Sequence, residues 1–135
     1  MHVSDFQEPF PGKYDVIEGE VQPTELETAV RLRIPPKTIE PWQVHYAPFK
    51  ELIIIEKGEL YVRSQLAVEP YSKGNKIRIQ EYHPHRIVNA GNEDAIAVVE
   101  TSPKPYRKDL EPEFPDLNAC LRALNKRLMS NAVKA

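Results

Sequence analysis

The stretch Trp42-Gln43-Val44-His45-Tyr46-Ala47-Pro48-Phe49-Lys50-Glu51-Leu52-Ile53-Ile54-Ile55-Glu56-Lys57-Gly58 decides the fold of this chain. A histidine is followed six residues later by a carboxylate, and then by the apolar run Leu52 to Ile55, which has strand length and no helical period. His45 and Glu51 therefore stand at the two ends of a bend between strands. Alternation along the first strand places Gln43, His45 and Ala47 on one face and Val44 and Tyr46 on the other. Some thirty residues on, His83, Pro84, His85 and Asn89 make a second polar turn of the same kind.

Outward from this stretch the pattern is that of short strands. Ala29 to Ile34 alternates apolar with polar until Pro35 and Pro36 end it, and Lys57-Gly58 separates two runs that predict a hairpin. Ser64 to Pro70 is a weaker strand, and Lys76 to Ile79, Arg86 to Asn89 and Ala95 to Thr101 follow, divided by turns at Gly74 and Gly91. Seven or eight such strands at regular spacing favour a sandwich or barrel over a parallel α/β plan. Thirteen prolines against five glycines fit short strands and stiff loops, because proline is excluded from helix interiors and central strands.

The two ends read differently. Residues 1–26 form an N-terminal arm in which only Tyr14 to Val21 offers an edge strand; residues 27–102 form the barrel; residues 103–135 form a proline-rich tether and one helix of the same domain. In the helix Leu117, Cys120, Leu121, Leu124, Leu128 and Met129 recur at helical intervals, starting from Pro115 and Asp116. That stripe packs on the sheet or on a partner subunit, with a membrane-lying helix as the sharper alternative. Cys120 is the single cysteine and reads as a core residue.

Composition narrows the function classes. The 135 residues carry a formal net charge of −2, so there is no basic field for nucleic acid or an anionic membrane. The apolar run at Leu52 is far shorter than the roughly 20 residues that span a bilayer, and Met1 to Gln7 lacks the apolar core of a signal peptide. The expectation is a cytoplasmic protein. Leu52 and Ile54 oppose Ile53 and Ile55, so that strand is expected to be buried on both sides, as it would be in a homodimer.

His45, Glu51 and His85 occupy strand ends in two separate segments that a small barrel can bring together at its mouth. Two imidazoles and one carboxylate suit a non-haem Fe(II), with Zn, Mn or Ni as alternatives, and leave positions open for a substrate. Here the sequence resembles the cupin superfamily. Its first motif, G-x5-H-x-H-x3-4-E-x6-G, is met at His45, Glu51 and Gly58, and its second, G-x5-P-x-G-x2-H-x3-N, at Gly74, His85 and Asn89. The resemblance covers about residues 28–101 and implies a double-stranded β-helix, the all-β jelly-roll barrel, usually paired as a dimer, with His45, Glu51 and His85 as metal ligands. The departures are Ala47 at the motif's second histidine, Gln80 at its proline, Tyr82 at its glycine, and no glycine before the first motif. Gln43 and His83 stand where a fourth donor can come from.

The resulting expectation is a metal-dependent enzyme of dioxygenase, isomerase or lyase type acting on a small polar or anionic metabolite, with Tyr46 and His83 as proton-moving catalytic groups. Gln43, Arg33 and Arg78 are candidate substrate contacts, the arginines because a guanidinium fork matches carboxylate and phosphate. The alternatives are a metal-free module binding a sugar or small acid without turnover, and a metal-independent epimerase or isomerase with His45 or His85 as base.

Overall fold

The computed structural model describes residues 14–134; of the expected arm over residues 1–26, residues 1–13 lie outside the described residues. In chain order the elements are β1 (Asp15–Glu18), β2 (Thr28–Ile34), β3 (Thr38–Ile39), β4 (Trp42–Gln43), β5 (Lys50–Lys57), β6 (Glu59–Ser64), β7 (Val68–Ser72), β8 (Lys76–Ile79), β9 (His85–Asn89), β10 (Ala95–Ser102), β11 (Glu113–Phe114) and α1 (Leu117–Lys134). The strands make two sheets, ordered β1-β2-β10-β5-β8 and β11-β4-β9-β6-β7, with β3 also paired to β9. The pairing between strands is antiparallel throughout. This is the barrel expected from the strand pattern, in the jelly-roll form that the family resemblance implies, with one C-terminal helix.

The core lies between the sheets. Ile34, Ile53, Ile55, Ile77, Ala95 and Ala97 from the first sheet meet Leu60 and Ile87 from the second. Each is 4% exposed or less, and burying an aliphatic side chain of this kind contributes roughly 1.5–3 kcal/mol. Antiparallel register aligns Ile53 with Val99 and Ile55 with Ala97, so the inward residues of β5 and β10 stack on one face. On the opposite face of β10 the fully buried Glu100 accepts the amides of Thr24, Glu25 and Leu26 and the Thr24 hydroxyl. Burial alone would raise its pKa, but these donors outweigh it and pull it down to about 2, which fastens the segment before β2 to the sheet.

A second cluster lies beneath α1. Trp42, Val44, Tyr46, Phe49 and Leu110 pack with Cys120 and Leu124 of the helix. The Oδ1 of Asp116 accepts the Ala119 amide at 2.8 Å, an N-cap that satisfies one of the helix's free donors. The apolar stripe of α1 therefore covers the outside of the second sheet, and Cys120 is a core residue, as its setting in the sequence suggests. Its far end is more open, with Met129 70% exposed. Among the described residues no helix is long and apolar enough to cross a membrane.

The expected hairpin at Gly58 is not formed. β5 pairs with β8 and β10, whereas β6 pairs with β7 and β9, so the chain passes at Gly58 from one sheet to the other. Lys57-Gly58 has the residue chemistry of a tight turn, but the inward faces of the flanking runs each find longer partners elsewhere. Gly58 holds φ +80°, and a Cβ there would meet the Asp94 carbonyl at 2.9 Å and the Ala95 Cα at 3.0 Å. Gly74 has φ +92° but open space around it. Gly74→Ala should therefore cost only the left-handed backbone penalty of about 1–2 kcal/mol, and Gly58→Ala clearly more; denaturant midpoints of the two variants measure the difference, and equal losses would remove the corner contact from the account.

Candidate metal centre

Backbone pairing places the histidines. β4 lies between β9 and β11, with Gln43 opposite both His85 and Glu113, so these three project to one face. His45 follows β4 by two residues, and Glu51 lies at the start of β5. Tyr82 ties the two polar turns together. Its amide donates to the His45 carbonyl at 2.8 Å, and its hydroxyl accepts the Ala47 amide at 3.3 Å. Tyr82 stands at the glycine position of the motif and keeps a glycine-like φ of 64°, a conformation that a bulky residue adopts only when its surroundings impose it.

The donor atoms of His45, Glu51 and His85 all lie within 4.8 Å of one another. The two rings stand edge to face with centroids 4.5 Å apart. His45 is fully buried and His85 4% exposed. The Nδ1 of His85 lies 3.0 Å from the His83 carbonyl, which can only accept, so Nδ1 carries the proton and the lone pair is on Nε2. Burial and the neighbouring His45 push the pKa of His85 down to about 4 against the opposing pull of the His83 carbonyl, which keeps the ring neutral. The Nε2 of His45 is 3.0 Å from Glu111 and 3.3 Å from Glu51, but neither contact has hydrogen-bond geometry. Both nitrogens of His45 and Nε2 of His85 are buried with no hydrogen-bond partner among the described residues. Buried polar atoms rarely stay unpaired, and this donor set is one that can hold a divalent metal ion.

Carboxylates crowd the same end of the barrel. Burial, then the charges of Glu111 and Glu40, raise the pKa of Glu51 well above the carboxylate range. Glu40, 9% exposed, is pushed up to about 8 by burial and by Glu111 and Glu113, with Arg86 opposing weakly. Burial works against ionisation of Glu111 too, but the adjacent His45 ring and the Tyr106 hydroxyl, which donates to Oε1 at 2.6 Å, hold it below the usual range.

Glu40, Gln43, Glu51, Tyr106 and Glu111 form one end of a cavity of about 510 Å³, whose remaining wall is mainly aliphatic: Val30, Leu32, Ile34, Ile53, Leu60 and Ile87. Of the residues singled out in the sequence, His45, Glu51 and His85 come together, and Gln43 lines the cavity. The others do not join them. Tyr46 is packed in the cluster under α1 with the Arg127 guanidinium 4.5 Å from its ring, because it alternates away from His45. The His83 side chain is exposed, and its contribution to the centre is the carbonyl that orients His85. Ala47 is exposed on its turn and does not share the inner face, since strand geometry ends at Gln43. Arg33 bonds to Asp15 and Arg78 to Glu25 on the outside of the first sheet, where alternation puts them opposite Leu32 and Ile77. Among the described residues Lys108 is the single cation on the cavity wall, and it lies 3.5 Å from Glu113.

No motif or periodicity marks Glu40, Tyr106 or Glu111. Glu40 sits in a proline-flanked link, and the other two lie in the segment that reads as a tether. The apolar Leu110 inside that polar run is the one hint that the segment docks, and Leu110 is indeed 3% exposed.

No family model matches the chain, and no curated protein sequence matches it. Solved structures do match in fold. A conserved Klebsiella pneumoniae protein with a double-stranded β-helix domain superposes with a TM-score of 0.56 at 19% identity, over 72% of this chain and 84% of that one. A sugar phosphate isomerase of the cupin superfamily from Silicibacter pomeroyi gives 0.52 at 17% identity, over 58% of this chain and 51% of the other. The cupin domain of Drosophila melanogaster CENP-C gives 0.50 at 15% identity, over 55% and 56%. The fold is thus that of the cupins, shared here by proteins of quite different description, so fold alone does not choose an activity.

The raised pKa of Glu40 sets the sign of a pH effect in the metal-free protein. Below pH 4.5 both folded and unfolded states hold the proton; between pH 4.5 and about 8 only the unfolded state releases it, so stability falls with rising pH across that window. Glu40→Gln should flatten this slope in urea melts run with chelator, and an unchanged slope would show that Glu40 ionises freely.

Proposed function

We propose that this protein is a metal-dependent enzyme of the isomerase, lyase or dioxygenase kind, acting on a small molecule held in the barrel, with the metal bound by His45, Glu51 and His85. The observation that carries this reading is the set of buried, unpartnered imidazole nitrogens within 4.8 Å of the Glu51 carboxylate, a residue that also lines the cavity. Two imidazoles and one carboxylate favour Fe(II), with Zn, Mn or Ni as alternatives. When bound, such an ion polarises a coordinated oxygen or activates dioxygen.

The chain's own residues supply the rest. The aliphatic wall excludes water and takes the apolar body of the ligand, while Gln43 and Tyr106 offer polar contacts beside the centre. Glu40, which keeps a proton near neutral pH, is the group suited to give or take one at the ligand, in place of Tyr46 and His83. With Glu40, Glu51 and Glu111 on its wall and Lys108 already beside Glu113, the cavity suits an uncharged or weakly charged ligand with one coordinating oxygen better than a phosphorylated or strongly anionic one. A metal-free pocket that binds its ligand without turnover is the second reading, favoured by the loss of a histidine at Ala47.

Purified protein should carry about one equivalent of transition metal per chain by elemental analysis, and His85→Ala should lose it while keeping a cooperative melt. Protein that stays metal-free after incubation with Fe(II), Zn(II), Mn(II) and Ni(II) would eliminate the metal-dependent reading and leave the second. A cytoplasmic homodimer completes the proposal. β1 has a partner only on its β2 side among the described strands, and its Val16 and Ile17 are 56% and 50% exposed, a surface that suits pairing with a second copy. Sedimentation at micromolar concentration should give a dimer, and Val16→Lys should shift it to monomer; a wild-type monomer would refute the pairing.

A further inference from the structure

We propose that Glu111, from the segment after the barrel, is the fourth protein ligand of the metal centre and replaces the donor lost at Ala47. The inference rests on the metal reading above, but concerns a residue outside both sequence motifs. Its Oε2 is 3.0 Å from His45 Nε2, and Glu51 Oε2 is 3.3 Å from the same nitrogen. Two donors that each lie about 2.1 Å from one ion, at right-angled to tetrahedral spacing, are roughly 3.0–3.4 Å apart. Measured from His45 Nε2, both distances fit neighbouring ligands of one ion. The distances alone would also suit hydrogen bonds from the imidazole, but the directionality is missing at both contacts and His45 Nε2 is left without a hydrogen-bond partner at 0% exposure.

The position of Glu111 is built. Leu110 is buried among Trp42, Phe49 and Cys120, and its carbonyl accepts the Tyr46 amide at 2.9 Å, one residue from His45. This bond fixes the segment against the turn that carries the first imidazole. The Tyr106 hydroxyl takes up Oε1 at 2.6 Å, so Oε2 is the oxygen presented to His45. A ligating carboxylate held by an outer hydrogen bond is the arrangement metal sites commonly use. Ala47 lies exposed on its turn, so a histidine restored there would not face the centre without moving the backbone. The donor has to come from another segment, and Glu111 is the carboxylate at hand.

The test uses Co(II) as probe on the full-length protein, reading affinity by competition with a chelator and coordination by visible absorption. Glu111→Gln, nearly isosteric, should weaken Co(II) binding by about 100-fold and change the ligand-field bands; Glu111→His, which keeps a donor, should recover most of the affinity with a shifted spectrum. Tyr106→Phe, which removes only the orienting hydroxyl, should weaken binding by about 10-fold. If Glu111→Gln binds Co(II) as wild type does, with the same spectrum, while His85→Ala does not bind, the proposal for Glu111 is overturned and the three-residue centre stands. If the wild type itself takes up no Co(II), both fall together. Should Glu111→Gln fail to fold, the Tyr106→Phe and Glu111→His spectra decide: bands unchanged from wild type in both would overturn the assignment.

Discussion

A carboxylate removed from water must find a proton, a set of donors or a cation, and the architecture of this protein turns on how that demand is met at one end of its barrel. Glu100 shows the first solution available to the chain: four donors from residues 24–26 satisfy it, and it stays ionised in a fully buried place. Glu40, Glu51 and Glu111 have no such cradle. Burial, then the charges of neighbouring carboxylates, raise the pKa of the first two, and His85 beside them turns the lone pair of Nε2 rather than a proton toward the site. Carboxylates and imidazole nitrogens gathered in one small volume are a donor set that could hold a positive ion.

What keeps those groups convergent is a small set of backbone bonds. Tyr82 links the two polar turns, Gln43 registers with His85 across β4 and β9, and the Leu110 carbonyl draws the C-terminal segment onto Tyr46. The positive φ of Tyr82 stores some backbone strain at the junction, which packing near Tyr46, with ring centroids 6.0 Å apart, helps to sustain. The candidate ligands therefore sit on an edge where strands end, but the edge is not loose.

Much of this was legible in the residues. Alternation at Ala29 to Ile34 and Lys76 to Ile79, the period change at Leu117 and the spacing of His45, Glu51 and His85 carry the barrel, the helix and the three-residue cluster, because each depends on local pattern or a fixed separation. Gly58 did not yield, since a glycine turn is compatible with both a hairpin and a passage between sheets, and only the competition for partners chooses. Glu40 and Glu111 did not yield either: each owes its position to a long-range contact with no periodic trace. The arginines misled in the other direction, because a guanidinium is equally at home outside when Asp15 or Glu25 is near.

The pairing of β2 with β10, and of β4 with β11, joins segments some seventy residues apart. Such contacts close large loops before any reward arrives, so folding should be slow for a chain of this size. During synthesis the ribosome releases His45 and His85 well before Glu111, and the aliphatic faces of β2 and β5 wait for β10 to emerge. The nascent barrel thus passes through a stage in which its imidazoles are already present while the closing segment is still in the exit tunnel, the interval in which chaperones and stray cations would find it most accessible.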